Sequence, residues 1–357
     1  MNLDSSSSSS SCIKNHQVLW RFSIVDTDLN VDSSISTTQL NIEIVVAKTE
    51  DYYLRFLIKN IDDISDYNET NAEPFTCDGC GGVSDVYNES VSPEKLAGKV
   101  VLITGASSGI GEHLAYEYAK HGASLALVAR REDLLAAVAM KAKELGALEV
   151  IVIKADVSKL QDCKRLVDET INHFRKLNYL INNAGIVKIG LFEDKRFIVD
   201  HASIMDVNFW GSIYATHFAL PYLTKHKGRI IVIGSTGGWF NMPGMSVYNA
   251  SKVAQQSFFE TLRIELASNI RITMVTLGMV ATPLAKDELL DKGKLWWIPR
   301  YSVEGCAKAI VNSGRRGDEY LTAPTWMQSV FLGVMLLPEI MNTVKQVILI
   351  TSRKSSS

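Results

Sequence analysis

Residues 104–111 read Thr-Gly-Ala-Ser-Ser-Gly-Ile-Gly, directly after the β-branched run Val100–Thr104 and directly before a helical apolar pattern that opens at Ile110. Glycines at 105, 109 and 111 allow a tight turn, a close approach of backbone to a pyrophosphate and a helix seated against a sheet, while the helix N-terminus offers N–H donors to phosphate. The spacing is Gly-x3-Gly-x-Gly rather than the commoner Gly-x-Gly-x2-Gly, and a glycine cluster alone is compatible with an ordinary turn. Its force comes from register, because strand, loop and helix follow one another without a gap. Gly105, Ser107, Ser108, Gly109, Ile110 and Gly111 are therefore expected to line a phosphate site.

The alternation continues downstream. Strand patterns lie at Val100–Thr104, Leu125–Ala129, Val150–Lys154, Tyr179–Asn182, Arg229–Gly234, Arg271–Thr276 and Tyr320–Thr322. Helical periods fall between them, at Ile110–His121, Arg131–Leu145, Lys159–Lys176, Ile198–Lys225, Ser246–Ser268 and Val303–Ser313. A repeating βα order predicts an α/β fold, a doubly wound parallel seven-stranded sheet of Rossmann type. No fixed-period repeat favours a solenoid. Residues 1–93 read differently, with a serine run at Ser5–Ser11 and scattered apolar runs such as Ile42–Ala47, so a poorly structured, largely disordered N-terminal extension is expected there. The catalytic domain is expected over 94–325, followed by an apolar segment and polar tail over 326–357.

With Lys+Arg 37 against Asp+Glu 39 and no long basic block, the chain lacks the phosphate-neutralising surface of a nucleic-acid binder. Five scattered cysteines do not form a disulfide framework, and the acidic, serine-rich start does not resemble a secretory signal, so the cytoplasmic side is expected. The best apolar stretch, Val330–Leu337, stops at Pro338 and is too short to span a bilayer.

An NAD-selecting site places an acid at the end of the second strand of such a sheet, to hold the ribose 2′-hydroxyl. This chain has Ala129-Arg130-Arg131 there. Guanidinium groups at that point suit a 2′-phosphate, which favours NADP(H), although an arginine at a helix start can also be merely solvated. Asp156 and Val157, after the third strand, are candidates for the adenine side, with Asp156 equally suited to cap a helix.

The carboxyl ends of later strands carry Asn182-Asn183-Ala184-Gly185 and Ser235. Downstream, Tyr248 and Lys252 stand at i and i+4 of a helical pattern and so share a face. A phenol with a pKa of about 10 is a poor acid or base near neutrality, and a neighbouring ammonium lowers it. Tyr248 would then exchange a proton, Ser235 would bond the substrate oxygen, and Lys252 would supply charge and hold the nicotinamide ribose. A Tyr-x3-Lys pair alone is a common surface pattern; joined to the glycine loop, the Asn-Asn-Ala-Gly run and Ser235, it is specific.

On these motifs, residues from about 95 to 325 resemble the short-chain dehydrogenase/reductase family. The run Gly98–His113 with Ala129–Glu132 is most similar to the plant 11β-hydroxysteroid dehydrogenase-like proteins called steroleosins. The resemblance implies cofactor contacts at Asn183, Ala184 and Gly185, a carboxamide contact at Thr282, and a fourth catalytic residue at Asn208, holding a water that links Lys252 to solvent. It also implies a homodimer or tetramer, a sterol-type substrate and association with a lipid droplet or membrane surface. Two features depart from the pattern: the first 90 or so residues show no long apolar, proline-containing anchor, and the family's Pro-Gly after strand six reads Leu277-Gly278.

Trp239, Phe240, Met242 and Met245, together with Leu289, Leu290, Leu295, Trp296, Trp297 and Ile298, are expected to border a pocket for a small lipophilic substrate, or else to pack a lid. Trp296, Trp297 and the stretch Trp326–Leu337 could dip into a lipid surface, or cover the sheet or an interface. Cys77-Asp78-Gly79-Cys80 lacks a second pair for zinc, and Asn68, Asn88 and Asn249 head weak glycosylation patterns. The expected activity is NADP(H)-dependent interconversion of a hydroxyl and a carbonyl on a hydroxysteroid or sterol. The alternatives are a carbonyl reductase for other lipophilic ketones and a cofactor-binding scaffold whose chemistry has lapsed.

Overall fold

The structure, a computed structural model, describes residues 17–24, 40–47, 53–59, 93–266, 269–283, 298–343 and 345–346. The chain divides into two compact units, Met1–Glu89 and Ser90–Ser357. In the first, β1 (Gln17–Ile24), β2 (Leu40–Ala47) and β3 (Tyr53–Lys59) form an antiparallel sheet in chain order, and the apolar run from Ile42 belongs to its middle strand. The remainder of residues 1–92, including Ser5–Ser11, Asn68, Cys77, Cys80 and Asn88, lies outside the described residues.

The second unit holds seven parallel strands: β4 (Val100–Thr104), β5 (Ser124–Ala129), β6 (Glu149–Lys154), β7 (Tyr179–Asn182), β8 (Arg229–Ile233), β9 (Arg271–Leu277) and β10 (Tyr320–Ala323). Their spatial order is β10-β9-β8-β7-β4-β5-β6. Strands buried on both faces read as unbroken apolar runs, and successive side chains serve opposite cores. Val101 and Ile103 of β4 face one core with Leu125 and Leu127, whereas Val100 and Leu102 face the other with Ala126 and Val128.

Helices α1 (Gly109–Lys120), α2 (Glu132–Glu144) and α8 (Val303–Arg316) cover the first face through residues such as Leu114, Leu135 and Ile310. Helices α3 (Leu160–Phe174), α6 (Gly211–Lys225) and α7 (Ser246–Leu266) cover the second through Leu166, Ala219 and Phe259. The expected doubly wound sheet is present, with strand bounds within a residue of the sequence pattern.

The expected single helix over 198–225 is instead broken. It runs as α4 (Phe197–His201), the short turn α5 (Ser203–Met205), a π-helical turn over Asp206–Trp210, and then α6. The Gly211 N–H bonds to the Asp206 carbonyl, five residues back. A last helix, α9 (Met327–Leu336), follows β10.

Candidate active site

The strand order reverses between β4 and β7, and ligands of open α/β sheets bind at the carboxyl ends of the strands beside such a switch. A cavity of about 540 Å³ opens there. It is lined by Gly105, Ser107, Ser108, Gly109, Ile110, Gly111, Arg130, Arg131, Asp156, Val157, Asn183, Ala184, Gly185, Ser235, Tyr248, Lys252 and Thr282. Of the catalytic and cofactor-contact residues expected from sequence, Asn208 alone is not in this lining; it is fully buried.

At the near end, Gly105 has φ +68°, and a Cβ there would lie 2.8 Å from Ala184 Cα. A Cβ on Gly111 would lie 2.4 Å from the Gly105 carbonyl oxygen. Both positions therefore exclude any larger residue, which keeps the loop close to β7 and the helix close to the loop. Thr104 Oγ1 donates to the Ile181 carbonyl and accepts from the N–H groups of Asn183 and Ala184, each at 3.1 Å. Asn183 Nδ2 donates to the Thr104 carbonyl at 2.8 Å. The Asn-Asn-Ala-Gly run thus splices β7 to the glycine loop, in addition to lining the cavity.

Helix α1 has no side-chain cap from Ser108. Ser108 Oγ instead accepts from Arg131 Nη2 at 2.7 Å, and Ser107 Oγ accepts from the same nitrogen at 3.1 Å. One guanidinium and two hydroxyls so gather beside an uncapped helix N-terminus, a donor set suited to a phosphate. Asp156 does not cap α3, whose N-cap is Lys159; its Oδ1 accepts from Ser158 N and Ser158 Oγ at 3.1 and 2.8 Å.

The far end holds the polar cluster. Ser235 is extended, φ −154°, and its Oγ accepts from Gly237 N at 3.0 Å. A Cβ on Gly237 would lie 3.2 Å from Tyr248 Cε1 and 3.4 Å from Ser235 Oγ, so the bare glycine leaves room for the phenol beside the serine. Burial pushes the Tyr248 phenol up, with the Ser235 hydroxyl pulling it partly back. Burial brings the Lys252 ammonium down to about 8. Lys252 Nζ donates to the Ile233 carbonyl at 2.8 Å.

Asn208 fastens this cluster to the β7 loop. Its Oδ1 accepts from Ile186 N at 2.8 Å, and its Nδ2 donates at 3.0 Å to both the Ile186 carbonyl and Ser251 Oγ. Ser251 Oγ in turn donates to the Tyr248 carbonyl at 2.7 Å. A group that can give or take a proton, a hydroxyl able to bond a carbonyl oxygen, and a buried cation thus adjoin one cavity.

The outer wall is apolar, with Phe240, Met242, Met245, Met279 and Ile298 packed together. Of the other apolar residues expected there, Trp239 instead packs edge-on against Phe331, centroids 5.2 Å apart, and Leu289, Leu290, Leu295, Trp296 and Trp297 lie outside the described residues. Leu277 and Gly278 line the cavity. So do Trp326, Met327 and Val330, and the apolar spacing of that C-terminal stretch gives no hint of it. Among the described residues no cluster of His, Cys, Asp and Glu could hold a metal, and no helix is long and apolar enough to cross a membrane.

Known proteins are similar to this chain in sequence and in fold. The profile of the family described as short chain dehydrogenase matches residues 99–293. The "11-beta-hydroxysteroid dehydrogenase-like 2" of Arabidopsis thaliana is 49% identical over 261 residues, spanning 73% of this chain and 85% of that one. The "11-beta-hydroxysteroid dehydrogenase A" of Sesamum indicum is 45% identical over 270 residues, 72% of this chain and 78% of that one. Among solved structures, a short chain dehydrogenase/reductase from Burkholderia phymatum in complex with NAD superposes with a TM-score of 0.61 at 25% identity, covering 68% of this chain and 96% of that one.

Proposed function

Since this chain belongs to the short-chain dehydrogenase family, we propose that it is an NADP(H)-dependent oxidoreductase interconverting a hydroxyl and a carbonyl on a lipophilic, hydroxysteroid-type substrate. The observation that carries the reading is one cavity with the glycine cradle and Arg131 at one end and Ser235, Tyr248 and Lys252 at the other. The cradle fits a dinucleotide because Gly105 and Gly111 leave room for a backbone-bound pyrophosphate, and Arg131 with Ser107 and Ser108 would hold a 2′-phosphate.

The nicotinamide, when bound, supplies or accepts the hydride. Ser235 Oγ bonds the substrate oxygen and orients it. Tyr248 gives its proton to that oxygen as a carbonyl is reduced, or takes it as an alcohol is oxidised. Lys252, a buried cation, eases loss of the phenolic proton, and Asn208 keeps the β7 loop and the Tyr248 helix in one frame. The methionine-rich wall excludes water and favours a flat apolar substrate over a sugar or hydroxy acid. The names of the relatives support the steroid class.

Helix α9 adds a surface to this reading. Its inner side lines the cavity at Met327 and Val330, while Leu332, Met335, Leu336 and Leu337 are exposed and carry no charge. A cavity whose rim continues into an uncharged apolar face favours collection of the substrate at a lipid surface.

The test is reduced-nicotinamide absorbance with the full chain, NADP⁺ or NAD⁺ in turn, and a panel of hydroxysteroids and simpler lipophilic alcohols. Turnover of a steroid with NADP⁺ preferred is the expected result. Turnover of the simpler alcohols alone would leave a general carbonyl reductase, and cofactor binding with no turnover of any alcohol would refute the catalytic assignment.

A further inference from the structure

Gln255 stands three residues beyond Lys252 on α7 and is only 1% exposed. Its Oε1 accepts from Lys252 Nζ at 3.1 Å, and its Nε2 donates to the Asn208 backbone carbonyl at 3.0 Å. The two neighbours dictate which way the carboxamide faces, because an ammonium only donates and a carbonyl only accepts. A buried helix position facing a core ordinarily holds an aliphatic residue, which could serve neither partner.

The partners matter because of where they sit. Lys252 is a buried cation with no carboxylate among its described ion pairs or hydrogen bonds; its other acceptor is the Ile233 carbonyl. Asn208 belongs to the π-helical turn and carries the contacts to Ile186 and Ser251. Gln255 therefore joins the cation to the turn that holds the cavity's back wall.

We propose that Gln255 is a positioning residue, whose carboxamide ties Lys252 Nζ to the Asn208 carbonyl and so fixes the cation at the cavity. The proposal rests on the reading of Lys252 as the partner of Tyr248. An acceptor on Nζ favours the ammonium and opposes the burial that brings it down to about 8. Without that acceptor Lys252 loses its proton at lower pH, and Tyr248 then faces a neutral amine. With a carboxylate in its place, Lys252 keeps its proton longer, but the positive field at Tyr248 is partly cancelled.

Two variants of the full chain separate these effects: Gln255→Met, which keeps length and removes the acceptor, and Gln255→Glu, which keeps shape and adds charge. The Lys252 titration is read from selectively labelled lysine side chains by NMR, with Lys252→Met assigning the resonance. Gln255→Met is expected to lower the midpoint by about one pH unit and Gln255→Glu to raise it by about as much. In the nicotinamide assay, Gln255→Met should lower kcat at neutral pH by about tenfold with a smaller change in KM, and Gln255→Glu should move the rising limb of the oxidation profile to higher pH. A folded Gln255→Met chain with an unmoved Lys252 midpoint and an unmoved pH profile overturns the proposal and reduces Gln255 to a packing residue. Midpoints that move as expected in a chain that turns over no substrate would sink the oxidoreductase reading while leaving the Gln255–Lys252 coupling in place.

Discussion

Arg131 reaches from the end of β5 back to the glycine loop and donates to Ser108 Oγ at 2.7 Å. The residue that would read the 2′-phosphate is thus braced by the loop that would hold the pyrophosphate. Replacing Arg131 by Ala removes a charge-assisted contact, so KM for NADPH should rise about tenfold to a hundredfold while KM for NADH changes by less than about threefold. Equal rises for both cofactors would show that Arg131 only stiffens the loop.

Tyr248→Phe keeps the ring beside Gly237 and removes the one exchangeable phenolic proton at the Ser235 side of the cavity. Turnover should fall by at least about a thousandfold, with NADPH affinity, followed by fluorescence titration, within about twofold. Retained turnover would transfer the proton-exchanging role to another group.

Lys252 titrates at about 8 when folded against an ordinary 10.5. Because the folded value is depressed, the unfolded chain binds the proton more tightly between those two values, and this group's contribution to stability rises as pH climbs from about 8 towards about 10. Below pH 8 the buried ammonium is a cost. Lys252→Met should therefore be more stable than the wild-type chain at pH 7 by about 1 to 2 kcal/mol, the gap narrowing as pH climbs from about 8 to about 10, while losing activity. Urea unfolding across pH measures it, and a gap independent of pH would contradict a buried charged lysine.

A Cβ at residue 111 would collide with the Gly105 carbonyl at 2.4 Å. Gly111→Ala should push α1 away from the loop, lower stability by about 1 to 3 kcal/mol and weaken NADPH binding by more than about tenfold. Thermal unfolding and cofactor titration of one sample give both numbers; wild-type affinity would mean that the helix shifts without disturbing the cradle.

Leu336 and Met335, 74% and 65% exposed on α9, lie away from the cavity. The double variant Met335→Glu, Leu336→Glu should lose co-flotation with phospholipid vesicles while keeping turnover of a detergent-dispersed substrate. Wild-type chain that never floats would remove the lipid surface from the reading.

Much of this was legible in the sequence because each signal is local. A β-branched run followed by glycines and a helical period defines strand, loop and helix without outside help, and β4 through α1 emerge within a residue of that pattern. The break near Asn208 was not legible, since the apolar period of 198–225 is the same whether the helix is continuous or widened; the π-helical turn depends on partners 22 and 43 residues away, Ile186 and Ser251. Gln255 reads as an ordinary polar residue of an amphipathic helix until burial and two long contacts are known. Trp326 and Val330 reached the cavity for the same reason, through tertiary placement that spacing does not encode.

The widened turn at Asp206–Trp210 also sets an angular phase. Each helical residue advances the chain by about 100°, so a turn that holds one residue more than the α-helical count offsets everything after it by that step. In this offset setting Ala215, Ala219 and Leu223 are buried in the second core. A chain shortened by one residue here would face a choice between aiming Asn208 at Ile186 and aiming α6 at its core. The length of this stretch thus bears at once on the polar contacts of Asn208 and on the packing of α6.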